Sequence, residues 1–323
     1  MPKRTACLVL LILLALAGCG GSTGELPPAA EPAASPPPTK TPAGTVVRVG
    51  DSPEGLAFDE RTGLLAVGLR DPDRLALVNG RTGRVARTVS LPESPRHLRM
   101  AGPGGPVLVP AERSNELLQV SLPDGKLTRT GVGRFPHDAA AAGGRIFVGD
   151  EFEDSVSVVQ DGRLTRTLDA PEQPGGVVAT ADGRYVGVVG VRERALELYD
   201  ARTPRSLAKV DVGIGPTHVE ATRRSFFVVD TRGDALIELR LNPLRFHGRV
   251  FVPGAPYGIA RSRVRDRFWI TLTERNQVAE VTPTQLERTL PTVRQPNSVA
   301  VDERSGRVFV TSRSDGTLQF FDP

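Results

Sequence analysis

Short apolar stretches separated by polar turns recur along the chain from residue 45 onwards. Each unit opens with a proline and contains an apolar stretch, a polar turn, a stretch ending in two or three apolar residues, a charged turn and a final apolar stretch. The opening prolines lie 38 to 42 residues apart, and they are Pro53, Pro95, Pro136, Pro174, Pro216, Pro256 and Pro296. A sustained period near 40 residues with four short strands per unit is typical of β-propellers. The pattern therefore predicts an all-β fold, a seven-bladed β-propeller.

The first unit shows where the strands are expected. GLAFD, LLAVGL, LALVN and VARTVSL are predicted as its four strands, joined by turns such as DERTG and NGRTG, in which Gly and Asn can adopt positive φ. In later units the second strand carries a large apolar pair, as in Phe147-Val148 and Trp269-Ile270. A short continuous apolar run fits a strand buried between neighbouring blades. We therefore expect these pairs, Trp269 included, to be core residues.

The two ends of the repeat predict how the ring closes. The last unit stops after its third strand, whereas the first proline is preceded by TVVRVGDSP, which matches the outer-strand segment of the next unit. We therefore predict that residues 45–50 supply the missing outer strand, so that an N-terminal strand completes the last blade. Such closure removes the open sheet edge that would otherwise promote aggregation.

The N-terminus predicts export and lipidation. Lys3 and Arg4 precede an apolar run too short to cross a bilayer of ~30 Å as a helix, as expected for a cleaved signal peptide over residues 1–18. The quartet Leu-Ala-Gly-Cys that ends at Cys19 resembles the bacterial lipobox, whose cysteine thiol receives diacylglycerol before cleavage. An ordinary secretory signal with a chance cysteine is the alternative. Lipid on Cys19 would anchor the protein to a membrane without spanning it.

Residues 19–44 are rich in proline and contain almost no large apolar side chain. Proline-rich chain favours extended polyproline II geometry at ~3.1 Å per residue, so we expect a tether that separates the folded domain from the lipid. The predicted organisation is thus a signal peptide over 1–18, a lipidated tether over 19–44 and a propeller over 45–323. The expected location is extracytoplasmic, on the cell membrane or the outer membrane.

Charge and cysteine content narrow the function classes. The formal net charge is +4, and the basic residues are almost all arginine, with lysine only at Lys3, Lys40, Lys126 and Lys209. This balance gives no reason to expect a nucleic-acid partner. The two cysteines both precede residue 20, so no disulfide framework is expected in the propeller. We expect a monomer.

Two repeats carry a resemblance to known families. FVTSRSDGTLQFFD (309–322) and FVGDEFEDSVSVVQ (147–160) resemble the YVTN-type repeat of seven-bladed YncE-like propellers. The sixth unit, PYGIARSRVRDRFWITLTERNQVAEV, is similar to the repeat of virginiamycin B lyase and NHL-type propellers. The resemblance implies a secreted or surface propeller; some relatives of this kind carry lactonase, lyase or redox-cofactor chemistry.

Ring symmetry predicts where a site would lie. We name the strands of a blade a to d from the channel outwards; the d-to-a and b-to-c loops then share one face, the loop face, and the a-to-b and c-to-d turns share the other, the turn face. The loop face carries the unusual residues, and closed rings bind ligands at their mouths. We therefore expect the site at the channel mouth on the loop face.

Three of the four histidines fall in the tripeptides that open the blades. Two residues after their opening prolines lie His97, Asp138 and His218, which are candidate ligands for a divalent metal ion such as Zn, with coordination positions left for water or substrate. His137 and Glu220 are candidate acid–base residues. The remaining candidate ligand contacts are Arg96, Arg99, Tyr257 and Asn297. The alternative is that these side chains merely join neighbouring loops by hydrogen bonds.

Two functions are consistent with these patterns. The first is a membrane-anchored, non-catalytic propeller that binds an envelope protein or a small ligand on its loop face. The second is a metal-dependent lactonase or lyase with its site at the channel mouth. No complete catalytic motif occurs in the sequence, which favours the first.

Overall fold

Seven four-stranded antiparallel sheets form the predicted ring in a computed structural model that describes residues 28–323. The predicted signal peptide and Cys19 lie outside the described residues. The fold class, a seven-bladed β-propeller closed by an N-terminal strand, is confirmed.

The strands are numbered β1 to β28 in chain order. Blade 1 contains β2 (Pro53–Asp59), β3 (Leu64–Leu69), β4 (Arg74–Asn79) and β5 (Val85–Ser90), and blade 2 contains β6 (Arg99–Met100), β7 (Val107–Ala111), β8 (Glu116–Val120) and β9 (Leu127–Gly131). Blade 3 contains β10 (Pro136–Ala142), β11 (Arg145–Asp150), β12 (Ser155–Gln160) and β13 (Arg163–Asp169), and blade 4 contains β14 (Pro174–Ala179), β15 (Tyr185–Gly190), β16 (Ala195–Asp200) and β17 (Arg205–Asp211). Blade 5 contains β18 (Pro216–Ala221), β19 (Ser225–Asp230), β20 (Ala235–Arg240) and β21 (Arg245–Phe251). Blade 6 contains β22 (Pro256–Ser262), β23 (Arg267–Leu272), a 3₁₀ turn (Thr273–Arg275), β24 (Gln277–Val281) and β25 (Leu286–Pro291). Blade 7 contains β26 (Pro296–Val301), β27 (Val308–Ser312), β28 (Thr317–Phe321) and β1 (Thr45–Arg48).

The hydrophobic core lies between the blades. One cluster of buried apolar side chains fills each interface between neighbouring blades, including the closing interface between blades 7 and 1. Phe147, Val148 and Trp269 are buried in these clusters, as the continuous apolar runs predict. Because neighbouring blades cover both faces of each sheet, the central residues of the b strands are apolar, and the aromatic side chains there belong to the core.

The closing strand β1 pairs with β28 in antiparallel register, from Thr45 opposite Phe320 to Arg48 opposite Thr317. Gly44, which precedes β1, has φ +71°, and a Cβ added there would lie 2.3 Å from the Phe320 carbonyl oxygen. A glycine is therefore required where the chain turns into the blade. The sheet edge left by the last unit is covered, as predicted.

Residues 28–43 lie against the ring. The Gln319 amide donates to the Ala43 carbonyl at 2.7 Å, and Ala43 N–H donates to the Pro291 carbonyl at 3.0 Å, which places this part of the chain between blades 6 and 7. Residues 28–36 then cross the loop face of blades 5 to 7, where Ala30 and Ser35 are buried. Proline-rich composition led us to expect a free tether here. The segment is instead held by hydrogen bonds to its backbone, which require no apolar side chains.

Candidate functional site

The central channel contains a cavity of about 520 Å³. Its walls are small or apolar side chains of the a strands, including Leu56, Ala140, Val178 and Ile259. Its rim is formed on the turn face by residues of the a-to-b turns, including Glu60, Arg263 and Glu303. No side chain of a b-to-c loop lines it. The expectation of a site at the loop-face mouth is therefore wrong for this cavity, which opens on the turn face.

A bar of polar side chains crosses the channel at the inner end of the cavity. His97 of blade 2 stacks on His218 of blade 5, with ring centroids 4.4 Å apart and the two Nε2 atoms 3.1 Å apart. Beside them Arg99 donates to Glu220 Oε1 at 3.0 Å and to the Val219 carbonyl at 2.9 Å. We call these four side chains, His97, His218, Arg99 and Glu220, the crossbar.

The crossbar depends on irregular backbone in blade 2. Strand β6 is only two residues long, and Pro95 makes an isolated bridge to Ala111 instead of continuing a ladder. The other a strands contain six or seven residues. This local departure accompanies the two side chains, His97 and Arg99, that reach blade 5. The repeat predicts that both lie near the axis, but not that they cross it.

Both imidazoles of the crossbar are neutral near pH 7. Burial is the main cause, and the neighbouring imidazoles and arginines add to it, so the pKa of His218 falls to about 3 and the pKa of His97 falls well below its usual value. Nδ1 of His218 is buried and makes no hydrogen bond of normal geometry within residues 28–323, although the backbone of Tyr257 is close enough to favour protonation of the ring. A neutral imidazole facing a cavity can accept a proton or a hydrogen bond.

Asp138 joins blades 3 and 4. Its Oδ1 accepts the Ala139 N–H at 2.8 Å, and its Oδ2 accepts the Val177 N–H at 2.9 Å and lies 3.5 Å from Arg99 Nε. Both oxygens are thus engaged by protein donors. Burial alone would lower the pKa of Arg99, but the carboxylates of Asp138 and Glu220 outweigh it and raise that pKa.

These contacts correct the predicted metal site. His97, Asp138 and His218 lie around the channel, but they do not form a set of converging ligands among the described residues. Asp138 is occupied by two backbone N–H groups, and the Nε2 atoms of His97 and His218 face each other. The donor arrangement therefore does not fit the divalent metal ion considered from the sequence and agrees with the alternative, in which these side chains join neighbouring blades by hydrogen bonds.

A second polar layer fills the loop-face end of the channel. Arg96 lies 3.4 Å from Glu54, Glu112 and His137 Nε2. Burial alone would lower its pKa, but the electrostatic interactions with Tyr257 and then with the nearby carboxylates outweigh burial and raise it. His137 Nδ1 is 2.6 Å from Glu151 Oε2. Arg96 and His137, predicted as a ligand contact and an acid–base residue, are therefore members of a packed ionic network.

Glu112, His137 and Glu151 form the one group of three potential metal ligands within residues 28–323. Their other contacts are unfavourable for a cation. Arg70 donates to Glu112 Oε2 at 2.7 Å, Arg96 lies against Glu112 Oε1, and the Gln173 amide donates to Glu151 Oε1 at 2.7 Å. Two guanidinium groups at this range would repel a metal ion. Ion pairs and hydrogen bonds with neighbouring side chains therefore explain why these three residues lie close together.

Burial opposes ionisation of Glu151, but its electrostatic interaction with the His137 ring and its hydrogen bonds with His137 and Gln173 outweigh burial and lower its pKa to about 2. Glu112 and Glu151 were not predicted as site residues. Both directly follow the last residue of a b strand, Ala111 or Asp150, which pairs with an opening proline. Arg70 follows Leu69 in the same way. The position after strand b is therefore a signal for channel-facing residues in this repeat.

Tyr257 and Asn297, the remaining predicted ligand contacts, are buried. Tyr257 packs edge-on against His218 with centroids 4.5 Å apart, and the Asn297 amide lies 3.4 Å from the Glu54 carbonyl oxygen. Burial is the main cause that raises the pKa of Tyr257. Both side chains help to close the channel above the crossbar, so they are on the side away from the cavity.

Within residues 28–323, no helix has the length and hydrophobicity that a bilayer span requires. The lipidation of Cys19 lies outside the described residues and stays a prediction.

No protein-family profile matches the sequence, and no curated protein sequence matches it. Solved structures, in contrast, match the fold of the chain. The chain is similar to a streptogramin B lyase (TM-score 0.74, 12% identity, 85% of this chain and 96% of that chain covered) and to virginiamycin B lyase from Staphylococcus aureus (0.71, 13%, 85% and 98%). A chain of a mitotic checkpoint complex matches over 99% of both chains with a TM-score of 0.76 and 12% identity. At these identities the similarity establishes the β-propeller fold alone.

Proposed function

We propose that the protein is a membrane-anchored, extracytoplasmic propeller that binds a small organic ligand in its channel cavity. The observation that supports ligand binding is the cavity itself. Its volume of about 520 Å³ lies within the range typical of small-molecule sites, ~300–1,000 Å³. Apolar walls with a few polar groups are also typical of such sites.

The inner end of the cavity is polar, whereas its walls are mostly apolar. The inner end presents the His97 imidazole and the Glu220 carboxylate, whose side chain is 19% exposed. The walls around it are mostly alanine, valine and isoleucine side chains. This arrangement favours an amphipathic molecule that places a hydrogen-bonding group against the crossbar and an apolar body against the walls.

Ala179→Phe tests this proposal, because Ala179 is half-buried on the cavity wall and a ring there would fill the cavity. Ala179→Ser is the matched control, since it changes volume very little. Both variants and the parent protein are purified in mild detergent, incubated with a small-molecule extract of the expressing cells and analysed by native mass spectrometry. We expect adducts on the parent protein and on Ala179→Ser that are lost from Ala179→Phe. Equal adducts on all three proteins would contradict the proposal.

Anchoring through Cys19 is supported by the lipobox-like quartet and by the short apolar run before it. Intact mass of the membrane-extracted protein should show diacylglycerol on an N-terminal Cys19. Cys19→Ser should move the protein to the soluble fraction. A membrane-extracted protein without lipid would contradict the anchoring. We propose a monomer, located on the cell membrane or the outer membrane.

Acid–base catalysis on a cavity ligand is a second candidate, a lyase or lactonase activity. The observation that favours it is the neutral His97–His218 pair beside Glu220, which together offer a base and a carboxyl group. Activity is tested on lactones and cyclic esters with the parent protein and the His97→Ala, His218→Ala double variant, after metal content is measured by mass spectrometry. Turnover that the double variant lacks would support it. If the parent protein contains a stoichiometric metal ion and the double variant does not, the metal-dependent form of this activity is supported instead.

A further inference from the structure

Side chains of blades 5 to 7 hold residues 28–36 on the loop face. The Gln295 side chain makes two hydrogen bonds with the backbone of this segment. Its Oε1 accepts the Ser35 N–H at 2.8 Å, and its Nε2 donates to the Ala33 carbonyl at 2.6 Å. Arg232 donates to the Ala29 carbonyl at 3.0 Å, and Thr273 accepts the Ala33 N–H at 3.1 Å. The point at which the chain leaves the described residues is therefore fixed on this face.

Asn276 makes a contact that its equivalents do not. In blades 2, 3 and 5 the equivalent residues are Asn115, Asp154 and Asp234, whose side-chain oxygens accept backbone N–H groups of the adjacent d-to-a loop. Asn276 Oδ1 does the same for the Gln295 N–H at 3.0 Å. Its Nδ2 also donates to the Pro36 carbonyl at 2.8 Å, which a carboxylate could not do. The hydrogen bond from Nδ2, and not the amide as such, distinguishes blade 6 and fixes Pro36 on this face.

The chain between Cys19 and Pro28 is short. Nine peptide links separate the two residues, which span at most ~32 Å when fully extended. A blade is about 20 Å high along its strands of six or seven residues, and its outer strand lies ~10 Å beyond strand b. A chain that left the loop face, passed over the outer strand and reached the level of the turn face would use that whole length.

We infer that the loop face lies towards the lipid surface and that the cavity opens away from the membrane, into the aqueous compartment. The inference rests on the proposed lipidation of Cys19. It assigns a role to residues 28–36, which set the orientation of the ring as well as its distance from the bilayer. A ligand would then reach the cavity from solution and not from the lipid.

Two single-cysteine variants measure this orientation. Arg113→Cys lies in the b-to-c loop of blade 2 and Lys126→Cys in the c-to-d turn of the same blade, and both positions are exposed. Cys7 leaves with the signal peptide and the Cys19 thiol carries the lipid, so each introduced thiol is the only reactive one in the mature chain. The full-length lipoproteins are labelled with a donor dye and reconstituted into phosphatidylethanolamine–phosphatidylglycerol vesicles that contain an acceptor-labelled lipid headgroup.

We expect stronger energy transfer from position 113 than from position 126, with a difference of about 20 Å in the distance to the headgroup plane, the length of the strands between them. Insertion of a 20-residue Gly-Ser linker before Pro28 should abolish the difference. Equal transfer from both positions, or stronger transfer from position 126, with lipid present on Cys19, would overturn the inference alone. Absence of lipid on Cys19 would overturn the anchoring proposal and this inference with it.

Discussion

Burial of Arg99 costs hydration energy that its partners must offset. It is enclosed by Asp138 and Glu220, and only 23% of its side chain is exposed. The same residue joins three blades, because it contacts blade 3 through Asp138 and blade 5 through Glu220 and the Val219 carbonyl. A residue predicted as a ligand contact is therefore in the first place a structural connection across the channel.

Arg99→Met should destabilise the protein by about 3–5 kcal/mol, because the carboxylates of Asp138 and Glu220 lose their buried partner. Urea unfolding measures this. The double variant Arg99→Met, Glu220→Gln should lose less than the sum of the single effects, by about 1–3 kcal/mol. Additive losses would mean that the two side chains do not interact in solution.

Asp150 should make stability depend on pH between about 4 and 6. Burial raises the pKa of its carboxyl to about 6, against opposing hydrogen bonds from Ser157 and Ser155. The folded protein therefore holds this proton up to a higher pH than the unfolded chain, whose Asp pKa is near 3.8. Its contribution to the free energy of unfolding is greatest at low pH and declines as the pH rises from 4 to 6.

Asp150→Asn removes this contribution, so the variant should gain stability relative to the parent protein as the pH rises from 4 to 6 and should be more stable than the parent at pH 7.5 by about 1–3 kcal/mol. Urea unfolding at pH 4.5 and pH 7.5 provides the comparison. The lowered pKa values of Glu151, His97 and His218 act in the opposite sense, but these groups are common to parent and variant, so their contributions cancel in the difference between the two proteins. Identical pH slopes in parent and variant would show an ordinary pKa for Asp150.

At the scale of elements, the segment over residues 28–36 is held mainly by hydrogen bonds, with Ala29 and Ala30 as its small apolar contacts, so it should detach without unfolding the blades. Asn276→Asp keeps the acceptor for the Gln295 N–H and removes the donor to Pro36. We expect about fivefold faster hydrogen exchange in residues 28–36, corresponding to ~1 kcal/mol, with the unfolding midpoint almost unchanged. Asp234→Asn, the reverse exchange in blade 5, is the control and should leave this segment unaffected. Equal exchange in both variants would argue against a role for the Asn276 amide.

The closing strand β1 is the second element whose loss can be measured. Replacing Thr45–Arg48 with four glycines should cost about 2–4 kcal/mol, since each glycine in a strand costs ~0.5–1 kcal/mol. It should also accelerate exchange at Leu318 and Phe320, the partners of Val47 and Thr45 in β28, and promote association through the weakened edge. Hydrogen exchange and sedimentation velocity report the two effects. Val46→Thr, at a 41% exposed position, should change little; unchanged protection in the glycine variant would contradict the role of β1.

At the scale of the whole molecule, the fold could be predicted because each blade repeats the same apolar pattern. The closing strand followed from the missing outer strand of the last unit. The same symmetry puts His97, Asp138 and His218 at the starts of a strands, and the three residues line the channel without converging as a set of ligands. It could not predict that Arg99 and His97 cross to blade 5, because that depends on the irregular backbone around β6.

Two other features could not be predicted from apolar periodicity. The first is the attachment of residues 28–36, which depends on side-chain amides of Asn276 and Gln295 that bind backbone groups. The second is the open end of the channel. Which end is open depends on the size and pairing of individual residues, such as Arg96 and Tyr257 at one end and Ala140 at the other. A repeat pattern carries no information about either.

The crossbar closes the inner end of the cavity, so the cavity does not run through the ring from one face to the other. With His97, His218, Arg99 and Glu220 across its inner end, a molecule that enters from the turn face must leave by the same opening. Any exchange of ligands, or of substrate and product, would therefore use the same route in both directions.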